Sequence, residues 1–190
     1  MKSVSFIIVF IIILFSQESK IIYKVPGNIP TIKQPKSYDC WVTVTTMMLS
    51  WKRDTFLTID AVAKELGDPW DNYYRRNKGL SFDEQDDFIE QIGMRGEPPA
   101  NYLIEAYIDF MRKYGPLWIT TGDGFSAHAR LLIAVYGDGS YEQSDFQFID
   151  PATGKIESQN ALEFVQEFER EAIVANRDNW ENLRIQIYHF

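Results

Sequence analysis

The chain has 190 residues, 45% of them hydrophobic and 15% aromatic, enough for one domain with a real core; global disorder is excluded. The formal net charge is −8, and no cluster of Lys and Arg offers the basic face that a nucleic-acid binder needs.

Residues 1–19 differ from the rest. Lys2 precedes an apolar run from Val4 to Phe15, interrupted only by Ser5. The run is shorter than the ~18–20 residues that cross a bilayer, and with its positive start it fits a secretory signal peptide. Export to a secreted or periplasmic location is expected, with an uncleaved N-terminal anchor as the alternative and the sole expected contact with a membrane. The domain proper is expected over residues 20–190.

Lys20 to Lys36 holds Pro26, Gly27, Pro30 and Pro35 and is expected to be an extended lead-in, with a short strand at Ile21-Ile22-Tyr23. From Cys40 to Trp51 two signals compete. Trp41, Val44, Met48 and Trp51 recur at helical spacing, whereas Val42-Thr43-Val44-Thr45-Thr46 is β-branched and favours a strand. A helix buried over most of its surface is expected, N-capped by Asp39.

Further helices are expected from Ile59 to Leu66, capped by Thr58, and from Ser81 to Ile92, opened by a Ser81–Glu84 capping box. Another starts at Pro98 or Pro99 and ends at Gly115, with Tyr102, Ala106, Phe110 and Met111 on one face. Strands are expected at Pro116–Thr121, Ala129–Tyr136 and Phe146–Ile149, separated by Gly-Asp-Gly turns. An acidic amphipathic helix over Asn160–Ala175 and a closing strand over Leu183–Tyr188 complete the chain. Helices first and a mainly antiparallel sheet after them make an α+β chain with two lobes.

Cys40 is the only cysteine in the sequence, so it forms no internal disulfide. Considered alone, a lone cysteine is a small buried hydrophobe. His128, one of two histidines, begins an apolar strand directly after a glycine-rich turn, and Asp150 ends the next strand ahead of Pro151. Antiparallel neighbours joined by a turn can set the start of one beside the end of the other, which would pair His128 with Asp150. His189, next to the last residue, is expected to be exposed. Nucleophilic catalysis by a thiol needs a thiolate, an imidazole beside it, a group orienting that imidazole and donors for the oxyanion. Cys40 at a helix start, His128, Asp150 and Gln34 supply these parts.

Taken in order, Gln34-x5-Cys40-Trp41, Ala127-His128-Ala129 and Ile149-Asp150-Pro151 resemble the papain-like cysteine peptidases. Met48-Leu49-Ser50-Trp51-Lys52, Gly115-Pro116-Leu117-Trp118 and Gly137-Asp138-Gly139 are similar to a bacterial branch related to leader-peptide-cleaving peptidases and to a secreted plant-pathogen effector peptidase. The resemblance spans about residues 31–157. It implies a two-lobed fold, with Cys40 on the central helix of one lobe and His128 and Asp150 on the sheet of the other. It also implies an oxyanion hole made by the Gln34 side chain and the Cys40 backbone N–H, with Trp41 beneath the site. Trp41, Gly124, Phe125 and Ala127 are the candidates for contact with a peptide or protein substrate. No cofactor is needed for this chemistry. A cell-wall peptide amidase or acyltransferase, and a catalytically idle binding domain, are the alternatives on the same fold.

Two signals are set aside. Asp83, Glu84, Asp86 and Asp87 fit a solvated first helical turn better than a calcium site. One cysteine and one well-placed histidine are too few for zinc. Tyr73-Tyr74-Arg75-Arg76 is expected to be a surface loop.

Overall fold

The computed structural model of the protein describes residues 20–122, 127–175 and 186–190; the expected signal segment lies outside them. The chain is α+β. Strand β1 (Ile21–Lys24) comes first, followed by helices α1 (Cys40–Lys52), α2 (Ile59–Leu66), α3 (Trp70–Arg75) and α4 (Phe82–Gln91). The short strand β2 (Arg95–Gly96) leads to α5 (Ile104–Tyr114). Then come β3 (Leu117–Gly122), β4 (Ala127–Tyr136), β5 (Asp145–Asp150), β6 (Lys155–Asn160), helix α6 (Ala161–Ala175) and β7 (Ile187–His189). The sheet runs β2-β7-β3-β4-β5-β6 with antiparallel neighbours. β1 pairs with β4 over Ala134–Tyr136, beyond the part of β4 that β3 covers.

Burial settles the conflict in α1. Every residue from Trp41 to Ser50 is buried, so apolar contact outweighs the few tenths of a kcal/mol per residue that β-branching costs a helix. The threonines remove their own polarity: Thr45 Oγ1 donates to the Trp41 carbonyl at 2.9 Å and Thr46 Oγ1 to that of Val42 at 2.7 Å.

The sheet is covered on both faces. Ala129, Leu131 and Ile133 of β4 and Trp118 of β3 pack with α1 to α4, around the aromatic cluster of Trp41, Trp70 and Phe88. Leu132 and Val135 alternate to the other face and meet Tyr107, Phe146, Phe148 and Phe164, under α5 and α6. Gly115 ends α5 at φ 89°, and a Cβ there would lie 2.0 Å from Trp51 Cη2, so α1 and the end of α5 touch through a glycine.

The Thr58 cap and the Ser81–Glu84 capping box form as expected. Several expectations fail. Asp39 gives α1 no side-chain cap and is itself buried. Helix α5 starts at Ile104, not at Pro98 or Pro99, and buries Ile104, Tyr107, Ile108 and Met111; this is the true stripe at i, i+3, i+4 and i+7. Tyr73 to Arg75 belong to α3, where Trp70 and Tyr74 are buried. The strand β6 was missed because its sequence, Lys-Ile-Glu-Ser-Gln-Asn, is polar, as suits an edge strand. The closing strand is described only over Ile187–His189. His189 is buried: its Nε2 lies 2.9 Å from Glu97 Oε1 and its ring stacks on Tyr114 at 3.5 Å.

Candidate active site

Cys40 is the first residue of α1. Asp39 contributes no capping hydrogen bond and the first turn holds no acidic side chain, so the backbone N–H groups that open the helix next to Cys40 are not taken by a side-chain cap. Both Asp39 oxygens are buried and lack a hydrogen-bond partner among the described residues. Burial raises its carboxyl above the usual range, against the charge of nearby Lys36.

His128 is the second residue of β4 and Asp150 the last of β5. Leu131 pairs with Ile149 in the antiparallel ladder, which carries the early end of β4 toward the late end of β5. His128 Nε2 donates to Asp150 Oδ1 at 2.9 Å. That oxygen also accepts the Ala152 N–H at 2.7 Å, from the turn that follows. Cys40 lines the same cavity as His128 and is the other group that acts on the ring. Burial opposes charge on the ring, but the bonds to Asp150 and Cys40 and the charges of both overcome it, and His128 is pushed up to about 9. Asp150 also loses solvent on burial, yet its bond to His128 holds its carboxyl below the usual range.

The lead-in to Cys40 rests on the Asp150 turn. The Gln34 N–H donates to the Pro151 carbonyl at 2.8 Å, and Gly154 lies against Lys33. On the far side, Tyr38 N–H donates to Asn77 Oδ1 at 3.1 Å and Trp41 Nε1 to the Lys78 carbonyl at 3.2 Å. Lys36 Nζ donates to the Tyr74 carbonyl at 2.8 Å, capping the end of α3. The Gln34 side chain is turned into its own loop: Nε2 donates to the carbonyls of Lys36 at 2.8 Å and Ser37 at 2.9 Å. Its Oε1 is buried with no partner among the described residues.

A cavity of about 470 Å³ opens beside Cys40 and His128. Of the residues expected to contact substrate, Trp41 and Ala127 line it; Gly124 and Phe125 lie outside the described residues. Leu80, Gln85 and Thr120, not among the residues singled out from the sequence, also line it. One signal was available for Gln85. It shares a helical face with Phe88 and Ile89, both buried, and a polar residue on an apolar face calls for a reason.

A lone cysteine at a helix start, sharing a cavity with a histidine from the sheet, fits the class of cysteine proteases. Residues 19–169 match the family model described as papain-like cysteine protease AvrRpt2, and the chain belongs to that family. The described architecture, with Cys40 opening a helix ahead of an antiparallel sheet, is consistent with a papain-like fold. A comparison with curated proteins finds no significant match. Membership implies a protein or peptide as substrate.

Proposed function

We propose that the protein is an exported hydrolase on a two-lobed papain-like fold, in which Cys40, His128 and Asp150 form a catalytic triad that cleaves peptide bonds. The observation that carries this is the 2.9 Å bond from His128 Nε2 to Asp150 Oδ1, on a ring that lines one cavity with Cys40. His128 takes the thiol proton and is held as an imidazolium by Asp150. The Cys40 sulfur attacks the scissile carbonyl, and the positive end of α1 favours the charge on sulfur. The tetrahedral oxyanion takes the Cys40 backbone N–H as its first donor. Gln34 supplies the second once a substrate carbonyl draws one Nε2 hydrogen away from Lys36 or Ser37. The imidazolium then protonates the leaving amine, giving an acyl-thioester on Cys40. Water, deprotonated by the same ring, hydrolyses the thioester. Residues 1–19 act in this account as the export signal or anchor.

The test is mass spectrometry of products from a peptide library and from purified cell-wall fragments, with wild-type protein and Cys40→Ala side by side. Cys40-dependent cuts in the peptides are expected. Cuts confined to cell-wall fragments, or cuts that persist without Cys40, would overturn the assignment.

A further inference from the structure

We propose that the cavity beside Cys40 selects a tyrosine side chain of the substrate through the hydroxyl at its tip; this rests on the peptidase function above and names what that site prefers. One part of the wall is apolar, and Ser37, Asn77 and Lys78 make another part polar. Trp41 and Leu80 line the cavity, and Ala127 and Ala129, on either side of His128, present only methyl groups and leave room for a ring. The polar groups are on the buried residues Gln85 of α4 and Thr120 of β3, which approach from the two sides and meet at 3.4 Å.

These two groups have hydrogen-bonding capacity left over. Gln85 Nε2 donates one hydrogen to Tyr188 Oη at 2.9 Å, and its second has no partner among the described residues. Among the described residues Gln85 Oε1 accepts only from Thr120 Oγ1 at 3.4 Å, the long end of the hydrogen-bond range. Thr120 Oγ1 accepts from Trp118 Nε1 at 2.8 Å. With the amide oxygen and nitrogen exchanged, the oxygen accepts from Tyr188 Oη and one hydrogen goes to Thr120 Oγ1, and the second amide hydrogen is again without a partner among the described residues.

A buried amide with unused capacity favours a ligand that completes it. A hydroxyl is both donor and acceptor in one atom, so it matches both groups at once. Neither cation that lines the cavity is free for a charged tip: Lys78 gives its Nζ to Glu84 and His128 is paired with Asp150. An apolar wall beside a donor–acceptor pair thus fits a phenol. A phenylalanine ring would fill the same space but leave Gln85 unsatisfied.

The test uses full-length Cys40→Ala protein, which binds without turnover, and two probes, N-acetyl-tyrosinamide and N-acetyl-phenylalaninamide, followed by NMR titration. The tyrosine probe should bind about three- to tenfold tighter, the ratio that one net hydrogen bond gives. It should shift the Gln85 side-chain amide and the Thr120 signals. Gln85→Leu should abolish that preference or reverse it. Since Gln85 also holds Tyr188, Thr120→Val is run beside it with thermal midpoints, and the two-probe ratio on one protein stands without either variant. Equal affinity, tighter binding of the phenylalanine probe, or no shift at Gln85 and Thr120 would overturn the preference. Peptide cleavage by wild-type protein, measured separately, shows whether the peptidase function stands in that event.

Discussion

Asp150 and His128 are 22 residues apart in sequence and 2.9 Å apart at Oδ1 and Nε2. The contact exists because β4 and β5 are antiparallel, so the second residue of one meets the last residue of the other. Against burial, Asp150 and Cys40 together push the ring up to about 9 from its ordinary 6.5, which keeps His128 charged through the neutral range.

Activity that depends on the imidazolium should therefore hold below the folded value and fall as pH rises through about 9. In Asp150→Asn the alkaline limb of kcat/KM should move toward the ordinary 6.5 of histidine, with kcat lower by at least ~10²-fold. The sign for stability is the same. The folded value is raised, so the contribution is whole below 6.5 and is lost between there and about 9. Melting curves of wild type and Asp150→Asn across that window should converge at the alkaline end.

The interaction of His128 with Cys40 makes a second expectation. At pH 6 iodoacetamide should modify Cys40 faster in the folded protein than in the unfolded chain. His128→Ala should remove that excess. Equal labelling rates in the two proteins would mean that no thiolate–imidazolium pair forms.

Gln34 separates a catalytic role from a loop role. Its two amide hydrogens are engaged by Lys36 and Ser37 in the free protein. If one is released to the oxyanion, Gln34→Ala should lower kcat by about 10²–10³. Alkylation of Cys40 should be little changed. A variant that keeps full kcat but melts at a lower temperature would leave Gln34 as a brace for the loop.

Asp39 should cost the protein stability near neutral pH. Its carboxyl is raised in the folded state, so the penalty is absent below 3.8 and complete above the folded value. Asp39→Asn should raise Tm at pH 7 by about 2–4 °C, the shift of roughly 1 kcal/mol. It should leave Tm unchanged near pH 3. A gain of equal size at both values would point to packing and not to charge.

Gly115→Ala should be strongly destabilising, by ~2 kcal/mol or more, since φ 89° and the Trp51 ring at 2.0 Å both exclude a Cβ. Thermal unfolding checks this directly. A drop of less than about 2 °C would mean that the end of α5 yields freely.

The sequence by itself determined what depends on near neighbours. The Thr58 cap and the Ser81–Glu84 box formed because their partners lie three residues away. The α+β order, and the prospect that the start of one strand would meet the end of the next, followed from turns and period. The ordered residues around Cys40, His128 and Asp150 also sufficed to point to the family. Tertiary structure decided the rest, because burial and long-range partners have no local signal. It buried the Asp39 side chain at the N-cap of α1 without the capping bond its residue type suggested. It buried His189 against Glu97 and Tyr114, where position alone suggested exposure. It turned Gln34 into its own loop, and it joined Gln85 of α4 to Thr120 of β3, 35 residues later. Each outcome was set by what another part of the chain brought to the same point.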